Sequence, residues 1–308
     1  MALTSSDFSI LLLNLFIGLS KNSRILSEYS KKFSQDLGYN LHAIEHSFAI
    51  KAGRNIKPEL VLTSAKLKNT LLLEWTLQKD AGGKRDQLNR YKAVTIKDLS
   101  DSTLAVPSEI AQNVDFSIFV NDTNHAAFKK YFEDNKIDFP LSVLELKDSG
   151  ACELYKIANT YNEQNTEKFF ESRLSFERIP KGYAKFSFDT NLAEKDIAKH
   201  VAINLQSFIV KEEKTFTNEV FCREMVGSVW NFIGQENKKL ILQRTKEILT
   251  DFISEGRGSR YLKRIGQYPP EWEILVGPDG RLSRKEIEAF IAKHEGKPYQ
   301  PPLQFSEE

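Results

Sequence analysis

The stretch PELVLTSAKLKNTLLLEWTLQKDAGGKRDQLNRY, residues 58–91, decides the reading of this chain. It holds two short runs rich in Leu and Val, at 59–64 and 70–77, the pattern of buried strands. Each run carries one acid: Glu59 follows Pro58 at the head of the first, and Glu74 lies near the end of the second. An unpaired charge on a buried strand is costly. Acids at equivalent places on neighbouring strands must therefore hold something. Beyond them, RDQLNRYKAVTIKDL has helical spacing at Leu88, Tyr91 and Lys92. Such a helix puts Gln87 and Tyr91 on one face.

Working outward, 308 residues suffice for about two domains. Hydrophobic residues make up 41% and charged residues 28%, with a mean hydropathy of -0.41, an ordinary soluble globular composition. The net charge of +1 excludes a global electrostatic field for nucleic acid, so any such site must be a local patch. Cys152 and Cys222 have no CxxC or Cys/His spacing, which argues against a disulfide framework or zinc site and fits a reducing, cytoplasmic setting. FSILLLNLFIGL, residues 8–19, lacks a basic region before it and a small-residue cleavage site after it. It is also too short to span a bilayer. It reads as a core helix capped by Ser5 or Ser6, and no membrane partner is expected.

Residues 5–37 read as two helical segments meeting near Gly18 to Ser23. Strands are expected near 45–51, 59–64, 70–77, 115–120 and 140–146, with an amphipathic helix at 125–135. That order predicts a mixed α/β sheet flanked by helices over residues 1–160. From 165 to 296 the pattern is mainly helical, at 192–210 and 215–254. WEILVGPDGRL then predicts two short strands around a PDG turn, and Ser283 with Glu286 a capping box for a last helix. Within 215–254, TFTNEVFCREMVGSVWNFIG and NKKLILQRTKEILTDFI supply two helices, and with this hairpin as the wing they give a winged-helix-like module. The same helices also suit a subunit interface anchored by Trp230, Phe232 and Trp272. Residues 297–308 read as a loosely ordered tail.

Paired carboxylates on adjacent strands suit Mg²⁺ or Mn²⁺, which take oxygen ligands and complete their shells with water and phosphate. Such an ion polarises a phosphodiester and lowers the pKa of an attacking water. A nearby Lys then stabilises charge developing on the phosphate. In Pro58-Glu59, Glu74 and the Gln87-Leu-Asn-Arg-Tyr91 element, the sequence resembles the PD-(D/E)xK nuclease superfamily of the QxxxY-containing type. The resemblance covers roughly residues 40–147. It implies a restriction-endonuclease-like core in which Glu59 and Glu74 hold the metal and Gln87 and Tyr91 position the strand. The pattern departs in two places: Glu59 replaces an Asp, and Thr76 occupies the place of the family Lys. Lys84, at the head of the QxxxY helix, and Lys79 are the replacement candidates. The implied function is a metal-dependent DNA nuclease or DNA-processing protein. Bacterial restriction, anti-phage defence and mobile-element systems hold such proteins. DNA is favoured over RNA as partner. The alternative is a catalytically inactive nuclease-fold subunit that binds DNA or assembles a larger complex.

Three further features bear on the site. HAIEH, residues 42–46, places His42 and His46 around Glu45, a pattern that a helix end feeding a strand also explains. The resemblance, in which an acid on the first helix can join the metal site, implies Glu45 as a third metal-ligand candidate. Glu145-Leu-Lys147 has the family spacing but neither a Pro-Asp before it nor a QxxxY after it. It is set aside. EGRGSRYLKRIGQY, residues 255–268, interleaves Arg257, Arg260, Lys263 and Arg264 with Tyr261. That combination suits phosphate contact with base stacking, a solvated loop between helices being the alternative.

Overall fold

The computed structural model of this chain describes residues 4–51, 54–77, 82–186, 194–254, 258–267, 270–277 and 279–294. These fall into two compact units, one of residues 4–186 with 231–236 and one of 194–230 with 237–294.

The first unit opens with α1 (Ser5–Ser20), whose first turn closes by a capping box between Thr4 and Asp7. Thr4 is thus the cap, in place of the expected Ser5 or Ser6. The helix is buried nearly all round from Leu12 to Ser20, which explains its apolar sequence. No described helix is long and apolar enough to cross a membrane. There follow α2 (Ser27–Lys31), a π-helical turn Lys32–Asp36, and the strands β1 (Tyr39–Ile44), β2 (Phe48–Ile50), β3 (Arg54–Ile56), β4 (Leu60–Ser64) and β5 (Asn69–Thr76). After α3 (Arg85–Lys92) and α4 (Ile96–Asp101) come β6 (Asn113–Asn121), α5 (His125–Asp134), β7 (Leu141–Leu146), β8 (Cys152–Ala158), α6 (Gln164–Glu171) and β9 (Leu174–Phe176).

Seven strands form one mixed sheet in the order β1-β4-β5-β6-β7-β8-β9. β1, β4 and β5 make an antiparallel meander, β5, β6 and β7 run parallel, and β8 and β9 return antiparallel. Both faces are covered, so every residue of β4 and β5 is buried and neither strand alternates. Along β6, Ile118 and Val120 join a core with Leu88, Leu99 and Phe128 from the helices of one face. Phe119 points the other way, its ring 5.0 Å from Phe16 of α1. The expected mixed sheet with flanking helices is therefore present. It extends past the boundary near 160, because α6 and β9 complete it.

The second unit contains α7 (Glu194–Val210), β10 (Thr215–Thr217), α8 (Asn218–Val226), α9 (Gln235–Ser254, whose first residues belong to the first unit), β11 (Leu262–Gln267), β12 (Pro270–Ile274) and α10 (Arg284–Lys293). The run 215–254 divides into two helices, as expected. Thr217 caps α8, and Gly227 at φ 81 ends it, a left-handed backbone that glycine adopts without strain. The region is mainly helical, as expected. Its small sheet has the order β10-β12-β11, so β12 pairs with β11 rather than with residues after the PDG turn. The basic stretch itself supplies a strand. Ser283 and Glu286 form the expected capping box of α10, and the tail at 297–308 lies outside the described residues.

Candidate functional site

The last β1–β4 pair is Ile44–Leu60 and the last β4–β5 pair Leu60–Leu73. One step beyond, Glu45, Glu59 and Glu74 come level at the same end of three neighbouring strands. Glu45 N–H donates to the Glu59 carbonyl at 3.0 Å. Glu45 and Glu74 are buried, at 4% and 2% exposure, while Glu59 keeps partial exposure.

Two lysines attend the row. Lys84 Nζ donates to Glu74 Oε1 at 3.0 Å and to Gln87 Oε1 at 2.8 Å. Tyr91 donates its hydroxyl to Glu74 Oε2 at 3.1 Å, and its ring stacks on Phe116 at 4.0 Å. Glu74 thus has a partner on each oxygen, which answers how an acid survives on a buried strand. Lys57 Nζ pairs with Glu45 Oε2 at 3.0 Å. The structure therefore brings together Glu45, Glu59, Glu74, Lys84, Gln87 and Tyr91, and adds Lys57, which sequence reasoning missed. The signal was the tripeptide Lys57-Pro58-Glu59, a cation two residues before the acid. Gln87 and Tyr91 share a helix face as expected. Their polar ends, however, are spent on Lys84 and Glu74 rather than left for a substrate. Lys79 lies outside the described residues.

Burial, then the charges of Glu45 and Glu74, push the Glu59 carboxyl well above the usual range, with Lys84 and Lys57 opposing. Burial and the Glu74 charge likewise raise the Tyr91 phenol well above its ordinary value. The sign for stability follows from proton uptake. The folded chain binds the Glu59 proton more tightly than the unfolded chain does. This stability is complete below the ordinary carboxylate value and is lost as pH rises through the raised one. Glu59→Gln, which cannot ionise, should therefore melt higher than the parent at pH 8, and the gap should shrink toward pH 5. A melting-temperature difference independent of pH would rule out this account.

Glu45 adopts φ 44, a left-handed backbone uncommon for a non-glycine residue, and such strain gathers at functional positions. It is braced from far along the chain. Gly234 N–H donates to the Ile44 carbonyl at 3.0 Å, and Ile233 bridges Ile44 in parallel. A Cβ on Gly234 would lie 2.6 Å from the Glu45 carbonyl oxygen and 3.0 Å from the His46 Cα. Only glycine fits there. Glu45 thus stands just past the end of β1, and HAIEH is a strand end rather than a helix end feeding a strand. Its flanking histidines turn away: His42 Nε2 bonds the Leu104 carbonyl at 2.8 Å and His46 Nε2 the Thr103 hydroxyl at 3.1 Å.

Among the described residues, no group of three or more His, Cys, Asp or Glu is placed to hold a metal ion. The donor chemistry still fits a hard divalent cation. Burial, with the charges of Glu45 and Glu74, raises the Glu59 carboxyl, and oxygen ligands of this kind are what Mg²⁺ and Mn²⁺ take. Cys152 and Cys222 are buried free thiols, both pushed up to about 12 chiefly by burial, so neither serves as a nucleophile.

The basic run in the second unit is largely committed. Tyr261 is 5% exposed. Its ring stacks near Phe252, and its hydroxyl lies 3.0 Å from both Glu286 oxygens. No face is left for base stacking, contrary to expectation. Arg260 pairs with the same Glu286 and lies over the Tyr261 ring. Burial works against the Glu286 charge, but hydrogen bonds from Ser283 and Tyr261 and the Arg260 charge hold it down at about 2. Arg264 donates to the Gly266 carbonyl at 3.1 Å. Lys263 is exposed and sits across from Glu273, and Arg257 lies outside the described residues. Glu145 and Lys147, set aside above, pair instead with Arg173 and Glu153.

A profile named the MJECL32 domain matches residues 9–184, more than half of the chain. No curated protein and no solved structure matches it.

Proposed function

The chain belongs to the MJECL32 domain family, a name that states no chemistry, and from that premise we propose that its first unit is a metal-dependent phosphodiesterase acting on nucleic acid, DNA before RNA. The row Glu45–Glu59–Glu74 with its two lysines carries the reading. The order of the meander, the crossover helices and the parallel strand also supports likeness to the PD-(D/E)xK core. Glu59 and Glu74 would hold Mg²⁺ or Mn²⁺, with Glu45 as third ligand. An ion held there would supply polarisation of the phosphodiester and a lowered pKa for the attacking water. Lys84 fixes one Glu74 oxygen and Tyr91 the other, and Gln87 holds Lys84. Residues so locked keep ligands within the narrow tolerance that catalysis needs.

The second reading is a nuclease-fold subunit that binds without cutting. It is favoured by Thr76 in the family lysine position and by lysines already neutralising two of the acids. One experiment separates the two. Purified chain should cleave plasmid or labelled single-stranded oligonucleotide on addition of Mg²⁺ or Mn²⁺ and stop on addition of EDTA. Absence of cleavage across both ions and both substrates would leave the binding subunit.

A further inference from the structure

We propose that Lys57 is the cation that meets the scissile phosphate, and that Lys84 is a positioning residue that holds Glu74. The proposal rests on the phosphodiesterase reading and assigns within it the part that the family Lys plays elsewhere. Counting on along the β4–β5 register past Leu60–Leu73 brings Lys57 level with Thr76, the position where that Lys is missing. The charge has moved across to the neighbouring strand.

The two lysines differ in what they would give up. Lys84 lies between two acceptors at the head of α3, and its side chain is 18% exposed. Turning it to a substrate would strip the counter-charge from Glu74, which is 2% exposed, and would leave that charge buried without a partner. Lys57 keeps 28% side-chain exposure and pairs with Glu45. With a divalent ion on the carboxylate row, Lys57 would no longer be needed as the counter-charge of Glu45, and its ammonium could turn to a substrate. The charges agree with this exchange. With a divalent cation in place and all three acids ionised, three carboxylates, two ammonium groups and the ion sum to one positive charge. A phosphodiester carries one negative charge, which the loaded site then matches.

The test uses the full chain as wild type, Lys57→Ala, Lys57→Arg and Lys84→Ala. Three quantities are measured: cleavage of single-stranded and duplex oligonucleotides in Mn²⁺, Mn²⁺ affinity by paramagnetic resonance, and binding of the same fluorescein-labelled oligonucleotides in Ca²⁺ against salt. Lys57→Ala should cleave at least ~100-fold more slowly, with Mn²⁺ affinity within about threefold of wild type. Its log–log salt slope should flatten by one contact, about 0.7 on single strands and 0.9 on duplex. Lys57→Arg should recover part of the rate, since it restores the charge. Lys84→Ala should instead weaken Mn²⁺ affinity by about 10-fold or more and lower the melting temperature. Should Lys57→Ala fail to fold, Lys57→Gln, which keeps the chain length, carries the same expectations. Wild-type cleavage by a folded Lys57 variant overturns the proposal. If the wild type cuts nothing, the phosphodiesterase reading falls by itself. A Lys57-dependent salt slope would then keep this residue as a phosphate contact, and an unmoved slope would remove that too.

Discussion

Glu74→Gln should reduce metal-dependent cleavage by about 10³-fold or more, corresponding to several kcal/mol of lost charge stabilisation. Its melting temperature should stay within about 3 °C of wild type, the shift expected for about 1 kcal/mol in a unit of this size. The asymmetry comes from what the amide keeps. Its carbonyl oxygen can accept from Lys84 as Glu74 Oε1 does, and its NH₂ can donate to the Tyr91 oxygen, which reverses its role. The packing against Phe116 remains. Only the negative charge goes, and that charge is what a divalent ion needs. Single-turnover cleavage in Mn²⁺ and a melting curve decide the matter. Cleavage at the parent rate would remove Glu74 from the ligand set, and a collapsed melting transition would make it a structural acid.

Asn14→Ala should cost about 3–4 kcal/mol of stability, since each buried polar group left unmade costs roughly 1–3 kcal/mol. Asn14 lies within α1 at 3% exposure. Its Oδ1 accepts from Tyr183 N at 2.9 Å and from Ala184 N at 3.1 Å, while its Nδ2 donates to the Ala184 carbonyl at 2.8 Å. One side chain therefore supplies the hydrogen bonds of a whole strand pairing to a segment 170 residues away. Alanine leaves three backbone groups at 183–184 without partners, and water cannot easily follow into the apolar face of α1. Chemical denaturation of the parent and variant would measure the loss. A difference under about 1 kcal/mol would mean that the 183–184 segment relaxes to find other partners.

The pair Glu59 and Glu74, with Gln87 and Tyr91 behind them, was legible because all four lie within one strand–turn–strand–helix stretch of sequence. Lys84 beside Glu74 was legible for the same reason. The element under Glu45 was ambiguous because HAIEH fits a helix turn and a strand end equally well, and only the pairing of β1 with β4 decides between them. The last strands were missed where their side chains are mixed. In Cys152–Ala158 only Cys152 and Leu154 are buried, and Lys156 pairs with Glu167, so the run lacks the apolar density of β4 or β5. The basic stretch at 258–264 misled because composition cannot show that Glu286, far along the chain, engages both Arg260 and Tyr261. Local sequence reports local neighbours, and the missed features are long-range ones.

Gly234 has a consequence for how this region can be inherited or transplanted. The chain leaves the first unit near residue 187 and returns to it only for Asn231–Glu236. A fragment ending at 187 would contain every acid and lysine of the row. It would still lack the bond that Gly234 gives to Ile44 and the close backbone packing at Glu45. The chemistry-bearing residues are therefore contiguous, but the piece that sets their geometry is not. Swapping the C-terminal region for another would exchange the brace of Glu45 along with it, so the two parts of this chain can diverge only together.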